Sequence, residues 1–237
     1  MTVEPIKGCT PPVDPLRLSD GESHFLWSFL QGSTTTQETI VRLRRAWGMC
    51  ASHAAALLTV EAACSDGRMR ASAALYLDLA EQAAGALTAP GPFADVRALR
   101  RLRARSPCPV CELSVRGSGA SSRDKLDRGH DRAAVGRFAA ETERYWGSFV
   151  CRDCLGGATG PRCRPHLLGD SGFDLAEEIH SQRATLGHIV RHLIEYARSL
   201  RSQERNCESA EDRAALLEAV GWCSGWSVVL ADFGLPS

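Results

Sequence analysis

The sequence predicts an all-α fold built as a helical bundle, on three observations. Apolar residues recur at three- and four-residue spacing along most of the chain, and the long Val/Ile/Thr alternations that mark strands are missing. An aromatic content of only 6%, with many alanines, suits closely packed helices. At 237 residues, 44% of them hydrophobic, the chain can bury a sizeable core as one large domain or two small ones. The 28 basic and 28 acidic side chains sum to zero, which excludes the whole chain as a polyelectrolyte partner of nucleic acid or an anionic membrane. No basic-then-apolar secretory signal opens the sequence, and no apolar run reaches the roughly 18 residues of a membrane span. The expectation is a cytoplasmic protein with no membrane partner.

Residues 1–17 carry Pro5, Pro11, Pro12 and Pro15, which deny regular hydrogen bonding and predict an irregular N-terminal arm. Residues 18–105 form an N-terminal helical half. In it Ser19 and Asp20 cap a helix marked by Phe25, Leu26, Phe29 and Leu30. Thr34–Thr36 precede a second helix through Ile40, Val41, Leu43 and Trp47. An alanine-rich third runs from Cys50 to Cys64, a fourth from residue 68 to about 87, and a short basic helix from Phe93 to Arg105, stopped by Ser106-Pro107. Residues 106–237 form the C-terminal half. Residues 116–130 read as a loop, Asp131 to Trp146 as a helix, Asp174 to about Gln203 as the longest helix, and a last helix follows Ser209 through Val220. Trp222 to Ser237 is an apolar tail expected to dock.

Within these halves lie four pairs with a two-residue gap: Cys50-Ala-Ser-His53, Cys108-Pro-Val-Cys111, Cys151-Arg-Asp-Cys154 and Cys163-Arg-Pro-His166. In a reducing compartment, ten cysteines grouped in this way point to metal rather than disulfides. A tight turn puts both donors of a pair on one side, and a tetrahedral zinc ion needs two such pairs. The eight residues therefore suffice for two zinc ions per chain, and the predicted bundle gains a zinc-stabilised loop-rich insertion between Cys108 and His166. One pairing joins Cys108 and Cys111 to Cys163 and His166, leaving Cys50 and His53 to Cys151 and Cys154. The other closes Cys151, Cys154, Cys163 and His166 locally and joins Cys50 and His53 to Cys108 and Cys111. Either gives two closed sites of three thiolates and one imidazole, the usual arrangement of a structural metal. Cys108, Cys111, Cys151 and Cys154 alternatively make an all-thiolate set for an iron–sulfur cluster. A thiol redox enzyme is disfavoured because no strand leads into either Cys-x-x-Cys.

The order Cys-Pro-x-Cys, helices, Gly-x-Cys-x-x-His resembles an uncharacterised family of small helical bacterial proteins that repeat this unit and are presumed to bind zinc. Trp47-Gly48-Met49-Cys50-Ala51-Ser52-His53 is similar to the closing half of one unit, and Cys108-Pro-Val-Cys111 with Cys163-Arg-Pro-His166-Leu167 resembles a second. The resemblance spans about three quarters of the chain and implies a fold and a metal, but no reaction. The chain departs from it in keeping only Cys9 of the first opening pair, in carrying the extra pair Cys151 and Cys154, and in placing Gly160 one residue too far from Cys163. On the view that the extra pair replaces the lost one, the resemblance favours the first pairing.

His188 and His192, four apart on the long helix with Glu195 near, can share a metal, but Ile189 stands where a zinc-protease helix carries glutamate. Their ordinary reading is a helix-surface or core pair. Arg97, Arg100, Arg101, Arg103 and Arg105 make a basic face, read first as solvated and otherwise as a contact for a protein partner or nucleic acid. No base-reading helix at zinc-finger spacing follows them. The sequence thus favours a zinc-binding helical protein with a binding or regulatory role, its partner unidentified. The alternatives are a metalloenzyme or iron–sulfur electron carrier, and a nucleic-acid-binding protein using the Arg97–Arg105 face.

Overall fold

The computed structural model describes residues 18–65, 68–88, 90–113, 132–154, 160–169, 174–201 and 208–232, and contains no strand among them. The all-α expectation holds. The N-terminal arm with Cys9, the loop at 116–130, and His130, Cys207 and Phe233 lie outside the described residues.

Helix α1 (Asp20–Leu30) starts at a reciprocal capping box, in which Ser19 Oγ accepts from the Glu22 N–H and the Glu22 carboxylate accepts from the Ser19 N–H at 2.7 Å. Helix α2 (Gln37–Ala46) is capped by Thr36, α3 spans Ala51–Cys64 and α4 spans Arg70–Leu87. No side chain of its own caps α4. The buried Glu61 of α3 does so from outside, accepting from the Ser72 N–H at 2.9 Å and the Ser72 hydroxyl at 2.6 Å. Helix α5 (Ala94–Leu102) is shorter than expected, and Arg103 and Arg105 follow it in irregular backbone. Helix α6 is Arg132–Trp146, α7 is Arg164–Gly169, α8 is Leu175–Ser199 capped by Asp174, and α9 is Ala210–Ser224 capped by Ser209. The expected apolar tail is more regular than its sequence indicated. Trp222 and Cys223 belong to α9, and α10 (Ser227–Asp232) follows, with Trp226, Val229 and Leu230 buried.

Helices α3 and α9 are mostly apolar beyond their first turns and are buried on all sides over most of their length. The amphipathic helices gather round them. α4 packs on α8 and α9, α9 on α8 and α6, and α3 on α6 and α10. The resulting core is continuous from Leu26, Leu57 and Leu79 to Phe138, Leu193 and Leu217. Full burial of each such side chain stabilises by about 1.5–3 kcal/mol, so the bundle does not rest on metals alone. No helix among the described residues is long and apolar enough to cross a membrane.

Candidate metal centres

The eight ligands expected from the sequence converge as two groups of four: Cys50, His53, Cys108 and Cys111, and Cys151, Cys154, Cys163 and His166. This is the second of the two pairings. The pairing across Cys108, Cys111, Cys163 and His166, favoured by the resemblance, is not formed, because Cys163 and His166 fold back on the adjacent Cys151–Cys154 turn. The all-thiolate set for an iron–sulfur cluster is likewise divided between the two groups.

The first site begins where α2 ends. Trp47 takes a left-handed conformation (φ 60°) and Gly48 follows at φ 90°, where an added Cβ would lie 2.9 Å from Leu79 Cδ1. Only glycine meets both demands, and the turn delivers Cys50 to the N-cap of α3. His53 then lies in the first turn of the same helix, 7% exposed. The partner turn leaves α5 through the buried Val110 and enters a short 3₁₀ turn at Cys111, closed by the Leu113 N–H donating to Val110 O at 2.9 Å. An Arg42–Glu112 ion pair ties that turn to α2. His53 Nδ1 is 3.2 Å from Cys50 Sγ, 3.4 Å from Cys111 Sγ and 3.7 Å from Cys108 Sγ, with 3.7 Å between Cys50 and Cys111. Its other ring nitrogen, Nε2, donates to Glu22 Oε1 at 3.1 Å. A carboxylate behind the histidine fixes its tautomer and turns Nδ1 toward the sulfurs, the usual second-layer support of a metal histidine.

The second site repeats the local logic. Cys151 and Cys154 flank a turn closed by the Cys154 N–H donating to Cys151 O at 3.0 Å. Gly160 brings the returning chain against it so closely that a Cβ there would meet Val150 O at 2.1 Å. Cys163 O accepts from the Leu167 N–H at the start of α7, as Cys50 O accepts from the Ala54 N–H at the start of α3, so each Cys-x-x-His presents sulfur and Nδ1 from one first turn. His166 Nδ1 is 3.2 Å from Cys163 Sγ and 3.4 Å from both Cys151 and Cys154, and Cys154 and Cys163 are 3.8 Å apart. Arg152 and Arg162 both donate to Glu178 Oε2 of α8 at 3.0 Å, clamping the knuckle to the bundle.

Zinc bonds of about 2.3 Å to sulfur and about 2.05 Å to nitrogen give tetrahedral edges of about 3.8 Å (S–S) and about 3.6 Å (S–N). The observed separations fall within a few tenths of an ångström of these, and the cysteines are not joined by disulfides. Each group could hold a metal ion. The electrostatics agree with a cation-binding set. Contacts with Cys111 and Cys50 hold the Cys108 thiol well below its ordinary range, and Cys154 and Cys163 do the same to Cys151. Cys163 is driven the other way, because its thiol hydrogen-bonds to the Cys151 and Cys154 sulfurs and burial disfavours its thiolate. The Cys151 and Cys154 sulfurs push His166 up to about 10. Burial lowers the His53 pKa, but Cys108 and Glu22 together outweigh it and raise it.

The basic face is divided. Arg101, Arg103 and Arg105 line a cleft of about 390 Å³ with Arg44, Arg45 and Trp47, whereas Arg97 and Arg100 do not. Arg97 instead donates to Pro90 O, and Arg44 is held by Asp78. Residues that sequence reasoning missed are Glu22, Glu178 and Arg164, the last donating to Leu102 O and Cys223 O from between Cys163 and His166. Of these only Glu22 had a local signal, the Ser-x-x-Glu of a capping box. His188 and His192 meet Glu211 rather than Glu195, which pairs with Arg198. Comparison with family models, curated proteins and solved structures gives no match to this chain.

Proposed function

We propose that the chain is a zinc protein with two structural metal ions and a binding or regulatory role. The observation that carries this is the donor spacing of the two Cys3His groups, which fits tetrahedral zinc edges with four protein donors to each ion. His53 Nε2 is already committed to Glu22, so the first site has no spare imidazole nitrogen for chemistry. In this reading the metals brace turns that could not hold themselves, and the resemblance to repeated zinc units extends the same reading. Binding belongs to the arginine cleft, where Arg101, Arg103 and Arg105 are exposed and carry no ion pair among the described residues. An acidic protein surface suits that cleft in a chain whose overall charge is neutral. Nucleic acid is the second reading, favoured by the arginines that line the same cleft.

Elemental analysis of protein purified without added metal tests the first part. The expected result is two zinc per chain and no visible absorption, with one zinc lost in each of Cys108→Ser and Cys154→Ser. Iron with a brown colour would overturn it. For the second reading, Arg101→Ala and Arg103→Ala should each lower the salt slope of nucleic-acid binding by about one; an unchanged slope would remove nucleic acid from the cleft.

A further inference from the structure

Outside the cysteine groups, α8 and α9 bring five ionisable side chains to one place. His188 and His192 come from α8, one turn apart, and their rings lie 4.5 Å apart. Glu211, Asp212 and Glu218 come from α9. His192 Nδ1 donates to Asp212 Oδ1 at 2.8 Å, which leaves its Nε2 to face Glu211 Oε1 at 3.5 Å. His188 Nε2 is buried and makes no hydrogen bond, and its nearest charged neighbour is Glu218 Oε2 at 3.4 Å, out of line for one. Phe149 stacks on the His188 ring at 4.7 Å and holds its plane.

Ion pairing accounts for Glu211 and Asp212, which both meet His192. For Glu218 it offers only His188 Nε2 at 3.4 Å. The Glu218 side chain is 0% exposed in the middle of an apolar helix, and neither of its carboxylate oxygens accepts a hydrogen bond. A buried carboxylate in that state is costly, and cores relieve the cost with a hydrogen bond, a paired charge or a cation. Burial pushes its carboxyl pKa up, against the pull of His188.

We propose that His188, His192 and Glu211 form a third metal site, of nitrogen and oxygen donors, that takes a divalent first-row transition metal, with Asp212 orienting His192 and the buried Glu218 beside His188 supplying negative charge. Donor atoms of His188, His192 and Glu211 all lie within 4.8 Å of one another. Ligands on one such ion stand about 3.0–3.4 Å apart, so a gap at the 4.8 Å limit has about 1.4–1.8 Å to close. The Glu211 side chain, 41% exposed, has the freedom to close it. Two imidazoles with carboxylates suit Zn, Fe(II), Co, Ni or Mn, whereas Mg and Ca prefer oxygen alone. The donor set is harder than the thiolate groups, and the site reaches solvent on the Glu211 side.

The test titrates the full chain, its cysteine-held metals retained, with Co(II), followed by calorimetry and absorption. Cobalt in the third site gives weak d–d bands without the near-ultraviolet thiolate charge transfer that exchange into a cysteine site would produce. The expected result is one further equivalent per chain. Glu218→Gln and Glu211→Gln should each weaken it at least tenfold, and Asp212→Asn by about 10- to 100-fold, at unchanged helicity and unchanged zinc content. Glu211→Gln, at a half-exposed position, keeps the test available if Glu218→Gln disturbs the core. No equivalent beyond those held by cysteine, or uptake unaffected by Glu211→Gln, overturns the proposal. The zinc content of the cysteine sites is read separately, so this result does not depend on their identity.

Discussion

Replacing Glu22 by glutamine removes one charge and alters two contacts. Oε2 accepts the Ser19 N–H at 2.7 Å and Oε1 accepts from His53 Nε2 at 3.1 Å, so both oxygens are in use. Glutamine has one oxygen and can serve only one of those donors, and its NH2 group then confronts the other. Loss of the support behind a ligating histidine typically weakens metal binding 10- to 100-fold, or about 1.4–2.7 kcal/mol. Loss of half the capping box, the alternative outcome, costs about 0.5–1 kcal/mol. Both side chains are nearly buried, 11% and 9% exposed, so solvent screening does not discount these figures much. With the remaining oxygen kept on Ser19 N–H, the loss falls at His53 and comes to about 1.4–2.7 kcal/mol, which for a chain of this size lowers Tm by roughly 3–11 °C. The assay is withdrawal of zinc by a chromogenic chelator beside thermal melts. One equivalent should leave 10- to 100-fold more easily and the other should not change. Ser19→Ala is the control, since it breaks the cap and spares His53; it should cost about 1 kcal/mol with little effect on zinc. Equal zinc retention in Glu22→Gln and wild type, with α1 still helical, would refute the role given to Glu22.

Three further outcomes follow from the same structure. Gly160→Ala places a methyl group 2.1 Å from Val150 O, so the backbone must move, and loss of metal is expected at the Cys151–His166 site alone; metal analysis showing both equivalents retained would contradict it. Glu61→Ala strips the outside cap from α4 and leaves the buried Ser72 N–H unpaired, an expected cost of about 2–4 kcal/mol in denaturant unfolding, and a change below about 0.5 kcal/mol would contradict it. Burial pushes the Tyr196 phenol up to about 12, against about 10 in the unfolded chain. The folded state therefore keeps its proton longer, and stability that is whole below pH ~10 declines as pH rises toward ~12, by up to about 2.7 kcal/mol. Tyr196→Phe should remove one proton from that slope in pH-dependent melts, and an unaltered slope would show that Tyr196 is not its source.

Much of the bundle was legible because helix starts are written locally. Ser19, Thr36, Asp174 and Ser209 each cap the helix their sequence predicts. The metal pairs were legible for the same reason, since a two-residue gap fixes both donors within one turn. Which pairs meet was not, because that depends on how α3, α4 and α5 return the chain from Cys50 to Cys108. Glu218 was equally hidden. In the run Leu216-Leu217-Glu218-Ala219-Val220 it reads as a solvent-facing residue, and only the packing of α9 among α4, α6 and α8 shows that this stretch of the helix is dry on every side.

The two cysteine sites differ in how much chain each encloses. Cys50 and Cys111 are 61 residues apart, whereas Cys151 and His166 are 15 apart and Cys154 and Cys163 only 9. Closing the longer span costs about two doublings of loop length, roughly 1.2 kcal/mol more in chain entropy, before any stiffness of α3–α5 is counted. A ring that small can form in a chain that is otherwise unfolded, and the large one waits for three helices to be laid down. During refolding at limiting zinc the knuckle at Cys151–His166 should fill first, so that the early intermediate is a metal-bearing C-terminal half whose N-terminal helices are still searching. Stopped-flow zinc uptake in two phases, the slower one lost in Cys50→Ser, is the sign of that order.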